Sequence, residues 1–324
     1  MKKLLLSIVA GAGMLAAGPL QAQAPAYPQQ PVRWIVPYAA GGATDTLART
    51  LAEAMQAGLG QPLFVDNRPG AATNIAVAAL LQAKPDGYTV MTAENATLSF
   101  NEHMFAKLPY KPERDFSYVA AIGRVPVVLA VNAALPVRTL DEFVAYVKAN
   151  PDKASYASPG IGTTHHMAME MFLQRAGLKM THAVYRGGAL AVQDVVAGHV
   201  PAMMIELTVG QQFVKTGKLR ALAATSGQRI AGFDTVPSFS ELGMPEVAAY
   251  TLHGLIAPAG LPDGVAGQLH AEIQKAVKTP KFTTLMAGTG FEPITLSPAE
   301  FKAMSRAESS RWGKLIQSVG VKLD

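Results

Sequence analysis

The sequence predicts an α/β protein built as two doubly wound α/β lobes joined by a two-crossover hinge. Two observations carry that expectation. A strand–helix–strand–helix–strand rhythm occupies residues 32–92, and a second series begins near residue 126 and runs to 224. Alternation of this kind implies mostly parallel sheets with helices on both faces. Two β-rich runs, 124–131 and 249–257, then fall where the chain would leave the first unit and return to it. The expected division is residues 25–124 and 250–324 for one lobe and 125–249 for the other. Paired extended crossovers let one lobe rotate against the other.

The elements follow in order. Val32-Arg33-Trp34-Ile35-Val36-Pro37 is β-rich and stops at the small residues Ala39-Ala40-Gly41-Gly42. Residues 45–59 read as a helix with Leu47, Leu51 and Met55 on one stripe, ended by Gly60 near its C′ position. A strand at 63–65, a helix at 73–83 and a strand at 88–92 complete the first unit. The second opens on the apolar run 126–131. A helix spans 139–149, with Asp141 and Glu142 in its first turn, where the helix dipole favours negative charge. A strand at 155–158 turns at Pro159-Gly160-Ile161-Gly162 into a helix at 165–176, closed by Gly177. Strands at 181–185, 202–205 and 219–224 alternate with helices at 189–197 and 209–216. The run 247–257 ends at Pro258-Ala259-Gly260, and helices at 265–278, 280–289 and 298–319 follow.

The 324-residue chain starts with Met1-Lys2-Lys3, an apolar run from Leu4 to Ala17, and Ala22-Gln23-Ala24. A charged start, a short apolar core and a small-x-small site read as a signal peptide, residues 1–24, cleaved after Ala24. The expected location is therefore the periplasm. The apolar core is shorter than the roughly 20 residues of a bilayer span. Removing it takes away two of the 28 Lys and Arg and none of the 23 Asp and Glu, so the formal charge falls from +5 to +3. That scattered excess points to no nucleic acid partner. The 300 residues left suffice for two domains of ordinary size. With no Cys, there is no disulfide framework, thiolate metal site or cysteine lipid anchor.

Three strand–loop–helix junctions concentrate the chemistry. Val36-Pro37-Tyr38-Ala39-Ala40-Gly41-Gly42-Ala43-Thr44-Asp45 resembles Tyr156-Ala157-Ser158-Pro159-Gly160-Ile161-Gly162-Thr163-Thr164-His165, and Tyr185-Arg186-Gly187-Gly188-Ala189 adds a cation. The first N–H groups of a helix lack internal partners and sit at the positive end of its dipole. Small residues let an anion reach them. Thr44 or Thr163 could equally just cap its own helix. Two such loops, one per lobe, favour a single anion clamped between opposed helix starts. No metal or cofactor is expected: His165 and His166 are adjacent, so they face different sides of a helix. Nor is a catalytic set visible, since no G-x-S-x-G elbow occurs. Met167, Met169 and Met171 read as packing.

The chain resembles the Bug-type substrate-binding proteins of tripartite tricarboxylate transporters. The resemblance rests on Pro31 to Tyr38 with its glycine loop, Val65-Asp66-Asn67-Arg68-Pro69-Gly70-Ala71, Lys84-Pro85-Asp86-Gly87-Tyr88-Thr89, Tyr156 to His166, Tyr185 to Ala189 and Gly217 to Ala223. It covers the whole chain after the signal. It implies a non-catalytic receptor of the type II periplasmic binding-protein class. It also implies a small organic carboxylate as ligand, inner-membrane transporter subunits as partners, and a monomer. Matched onto this sequence, the carboxylate site is Tyr38, Ala39, Gly41, Gly42, Thr44 and Asp45 on one side. Ser158, Gly162, Thr163, Thr164 and His165 form the other, with Tyr185 and Arg186 beside them. The chain departs from the family's pattern at Ala40, where Pro is usual, at Ile161, and at Ile205-Glu206, where Asp-Asn is frequent. Glu94 stands where small or hydroxyl residues are usual. Glu94 and Glu206 join the candidate site. If both face the cleft, the ligand is expected to carry a donor or positive group besides its carboxylate. Two other roles fit the same sequence: a ligand-dependent partner of a sensor kinase, and an exported enzyme.

Overall fold

The computed structural model describes residues 27–323; the signal peptide expected at residues 1–24 lies outside them. The chain runs β1 (Val32–Val36), α1 (Ala43–Leu59), β2 (Leu63–Asn67), α2 (Asn74–Leu81), β3 (Thr89–Ala93), α3 (Asn101–Met104), α4 (Pro112–Asp115) and β4 (Phe116–Asn132). It continues through α5 (Leu140–Ala149), β5 (Ser155–Ser158), α6 (Thr164–Ala176), β6 (Thr181–Val184), α7 (Gly188–Ala197), β7 (Ala202–Glu206), α8 (Leu207–Lys215) and β8 (Leu219–Ala224). It closes with β9 (Tyr250–Pro258), α9 (Asp263–Ala276), α10 (Pro280–Met286), β10 (Glu292–Pro293) and α11 (Pro298–Val319).

The helix boundaries follow local chemistry. Gly60 takes the left-handed conformation that ends α1 (φ 69°), which a residue with a Cβ adopts only at a cost. Thr139 and Ser297 open α5 and α11 with reciprocal capping boxes to Glu142 and Glu300.

Both lobes use one strand order. β2-β1-β3 are parallel, and so are β6-β5-β7. Each triplet is flanked by an antiparallel crossover strand, β9 beside β3 and β4 beside β7. β4 is the spine of the molecule. Its residues Phe116 to Pro126 pair with β9, and its residues from Val127 on pair with β7 and, from Val128, with β8. The ladder thus changes partners at Pro126, a residue with no N–H to donate. The strand expected from residue 126 therefore begins ten residues earlier.

Each lobe has its own core. Leu47, Leu51 and Met55 of the α1 stripe are buried with Trp34, Leu269, Ile273 and Phe282. Phe143, Tyr156, Met169, Phe172 and Met204 fill the other. Trp312 and Ile316, late in α11, belong to that second cluster, and the Trp312 ring lies 4.7 Å from Phe100. The end of α11 is thus a third tie between the lobes, beyond the two crossovers.

Candidate functional site

The shared strand order makes positions in the two lobes equivalent. The loop after β1 corresponds to the loop after β5. Glu94, directly after β3, corresponds to Glu206, the last residue of β7. In an open α/β sheet the carboxyl ends of such strands, at the switch in strand order, are where ligands lodge. Here the two switch points face each other.

In the first loop Gly42 precedes α1 with no side-chain cap, so the first amides of the helix remain donors. Gly41 is left-handed (φ 81°), and its N–H donates to Asp45 Oδ2 at 2.9 Å. Asp45 also accepts from Arg49 Nε (3.0 Å) and Asn67 Nδ2 (2.9 Å). Burial works against its charge, but these donors outweigh it and hold the carboxyl below its ordinary range. Asp45 therefore fastens the loop from beneath. The Thr44 hydroxyl donates to Glu94 Oε1.

The second loop is braced by a ring stack. His182 lies between Tyr156 (centroids 4.6 Å) and His166 (4.2 Å). Ser158 Oγ meets His182 Nε2 at 2.6 Å, and the Gly162 amide donates to His166 Nδ1 at 3.1 Å. Accepting there requires a neutral imidazole; burial, with His182 adding, pushes the His166 pKa down to about 3. Thr163 caps α6 by accepting from His166 N (3.3 Å). Thr164 donates across the lobes to Asn95 Oδ1 (3.2 Å), which also accepts from Leu252 N on β9 (2.7 Å).

The third loop touches the first directly. The Ala39 amide donates to the Arg186 carbonyl at 3.1 Å. A Cβ on Gly187 would lie 3.1 Å from Ala39 Cβ. Tyr185 turns its hydroxyl to Asp194 (2.5 Å), and Arg186 is exposed.

Two neighbouring spaces lie between the lobes. A cavity of ≈ 20 Å³ is lined by Tyr38, Gly42, Thr44, Glu94, Thr163, His165, Gly188 and Glu206, among others. A cleft of ≈ 490 Å³, sharing Tyr38, Pro159 and Thr163 with it, adds Tyr185, Arg186 and the turn at Gly70, Ala71, Ala72 and Thr73. In that turn Ala71, Ala72 and Thr73 all have positive φ (47°, 46° and 75°), strained for residues with a Cβ. Asn101 Nδ2 holds it by donating to the Ala72 carbonyl (2.7 Å). The turn also delays α2 by one residue from its expected start.

Against the wall of the small cavity lies a charged arrangement that sequence reasoning missed. His253 of β9, 1% exposed, stands between the lobes' equivalent glutamates. Its Nδ1 is 3.5 Å from Glu94 Oε1 and its Nε2 is 3.5 Å from Glu206 Oε2. These are ion-pair distances, too long for good hydrogen bonds. His165 Nε2 is also 3.5 Å from Glu206 Oε1. Neither glutamate faces solvent or pairs with an arginine; Arg124 instead pairs with Glu292. Burial, with Glu206 adding, pushes the Glu94 carboxyl up to about 7 against the pull of His253 and Thr44. Burial would raise Glu206 too, but His253 and His165 outweigh it and lower it. Burial would lower His253, but the two glutamates raise it. Burial keeps His165 below its ordinary value although Glu206 opposes this. Burial and the nearby Glu94 hold the Tyr38 phenol well above its ordinary value.

These shifts predict a stability maximum near pH 6.5. Glu94 and His253 bind protons more tightly folded than unfolded, so their contributions are lost as pH rises through the Glu94 value of about 7 and beyond. His165, His166 and His182 have lowered values, so their contributions are lost as pH falls below 6.5. There three histidines oppose one glutamate. Each linked proton contributes at most about 1.4 kcal/mol per pH unit. Urea midpoints from pH 5 to 8 should show the maximum, and Glu94→Gln should steepen the acid side, because it removes the one glutamate that opposes the histidines there. A midpoint that climbs steadily to pH 8 would contradict the assignment.

A family model described as "Tripartite tricarboxylate transporter family receptor" matches residues 47–321. Protein BugT of Bordetella pertussis (strain Tohama I) is 33% identical over 316 residues, covering 97% of this chain and 96% of BugT. The structure of the periplasmic binding protein BugD superposes with a TM-score of 0.88 at 31% identity, covering 91% of this chain and 99% of that one. MatC from Rhodopseudomonas palustris, with bound malate, gives a TM-score of 0.85 at 28% identity, covering 90% and 100%. The expected resemblance and the two-lobed α/β fold are both borne out.

Proposed function

The chain belongs to the tripartite tricarboxylate transporter receptor family, and from that premise we propose that it captures a small organic carboxylate between its lobes in the periplasm. It then presents that ligand to inner-membrane transporter subunits. The observation that carries the reading is the meeting of three glycine loops at one interlobe space, with the N-termini of α1, α6 and α7 around it. Amides at helix starts are donors already oriented for an anion, so little reorganisation opposes binding. MatC's malate supports a carboxylate as the guest.

In this reading Tyr38, Gly42 and Thr44 serve the ligand from one lobe, and Thr163 and His165 from the other, while Ala39, Gly41, Ser158, Gly162 and Thr164, whose amides or hydroxyls are engaged within the protein, hold the loops in shape. Tyr185 and Arg186 guard the wider cleft, and Asp45 positions the first loop. The lobes comprise residues 25–124 with 250–324, and 125–249. The change of β4 partners at Pro126 supports that division, with the end of α11 as the exception. Binding proceeds without bond making, by closure of one lobe on the other.

A thermal-shift panel of mono-, di- and tricarboxylates tests this. A ligand at 100 times its Kd should stabilise the fold by about 2.7 kcal/mol. Deleting the chain should then abolish uptake of that compound at low concentration. A panel without a single shift would sink the proposal.

A further inference from the structure

A carboxylate guest accounts for the donors around the small cavity but not for its acceptors. Helix-start amides, Tyr38 and the capping threonines supply N–H and O–H groups. Glu94 and Glu206, 5% and 1% exposed, supply carboxylates from equivalent positions of the two lobes. The charged and titratable groups facing them are Tyr38, His165 and His253. Among the described residues, neither glutamate has a lysine or arginine partner. One imidazolium, that of His253, cannot balance two carboxylates. Three cavity-lining or adjacent groups at least nine-tenths buried also make no hydrogen bond: the Tyr38 hydroxyl, His165 Nδ1 and Glu206 Oε2. Buried polar atoms rarely remain so. Together they form a site with more carboxylate acceptors than cations to face them, and donors close by.

Resting on the carboxylate-receptor reading, we propose that the ligand bears a protonated nitrogen besides its carboxylate, and that Glu206, assisted by Glu94, accepts from that nitrogen. The ligand class is therefore the amino carboxylates, open-chain or cyclic. Plain dicarboxylates would set a second anion against two buried carboxylates. The ammonium would supply the missing cation, while the carboxylate takes the amides. A cation beside Glu94 also lowers its affinity for a proton, so binding at pH 7 releases protons. A plain dicarboxylate would instead take them up.

Isothermal titration calorimetry of the full chain with the twenty proteinogenic amino acids and pipecolate, against succinate, glutarate and adipate, decides it. At least one zwitterion should bind at least 100-fold more tightly than any of the three dicarboxylates. Its heat should vary with buffer in the sense of proton release. Glu206→Gln should weaken it at least 30-fold while leaving the dicarboxylates unchanged or tighter. If that variant does not fold, the preference and the sign of proton exchange in the unaltered chain still decide. Tighter binding of a dicarboxylate, with proton uptake, overturns this inference and leaves the carboxylate receptor standing. Binding by neither group overturns this inference alone, because the carboxylate receptor stands or falls on the wider thermal-shift panel.

Discussion

Replacing His253 with leucine should destabilise the protein by about 3–5 kcal/mol at pH 8, the range for breaking a buried ion pair from one side. The cause is the two carboxylates left behind. Glu94 and Glu206 are almost wholly buried, and His253 lies 3.5 Å from each. Leucine fills most of the ring's volume, so a cavity contributes little and the loss is chiefly electrostatic. Two further results would identify it as such. The deficit should shrink as pH falls towards 5, because the stranded carboxylates can protonate. Adding Glu206→Leu should recover about half of the loss, since it removes one of the two stranded carboxylates and leaves Glu94 without its counter-ion. Urea unfolding of the two variants and the parent at pH 5 and 8 supplies the comparison. A deficit under 1 kcal/mol at pH 8 would show that His253 is not the counter-ion.

Gly187→Leu should weaken ligand binding on the order of 1,000-fold, about 4 kcal/mol, and lower stability by only about 1–3 kcal/mol, the strain of placing a side chain at φ 156° and ψ 162°, a conformation essentially confined to glycine. Gly187 meets Ala39 across the lobe junction, where a Cβ would stand 3.1 Å from Ala39 Cβ and 3.2 Å from its amide nitrogen. That amide donates to the Arg186 carbonyl. A leucine there forces the loops apart, and the ligand keeps the donors of one lobe only. Losing two hydrogen bonds to a charged group, each worth about 1.5–3 kcal/mol, gives the stated loss. Each lobe retains its own core, so the fold itself should survive. The Kd of the best ligand and the urea midpoint, measured together, separate wedging from unfolding. An unchanged Kd would mean that these loops do not close on the ligand.

How much of this could be read from the sequence depended on whether the signal was local. The glycine loops and their threonines were legible because helix starts have a chemistry of their own within a few residues. Glu94 and Glu206 stood out as acids where the family's pattern has other residues. Their equivalence was not legible, since it comes from strand order, which no single segment contains. His253 was hidden for the same reason. In Tyr250-Thr251-Leu252-His253-Gly254 it is one polar residue in an apolar strand, and only pairing of β9 with β3 and β4 places it between two acids. A faint trace existed: Thr251 and His253 are two apart, hence on one face of a strand otherwise buried among apolar neighbours. The turn at Ala71 to Thr73 gave no warning, because alanine rarely takes positive φ unless surrounding contacts force it. The reach of Trp312 into the second core was equally invisible, since an apolar stripe does not say which core it joins.

The partner change within β4 bears on whether the halves can be separated. A single unbroken strand supplies rungs to both sheets, so neither half can be cut away without baring a sheet edge in what remains. Exposed edges of that sort invite aggregation. The two-lobed outline is therefore not a junction of two autonomous modules. The molecule should fold and fail as one cooperative body, able to flex at its waist but not to be divided there.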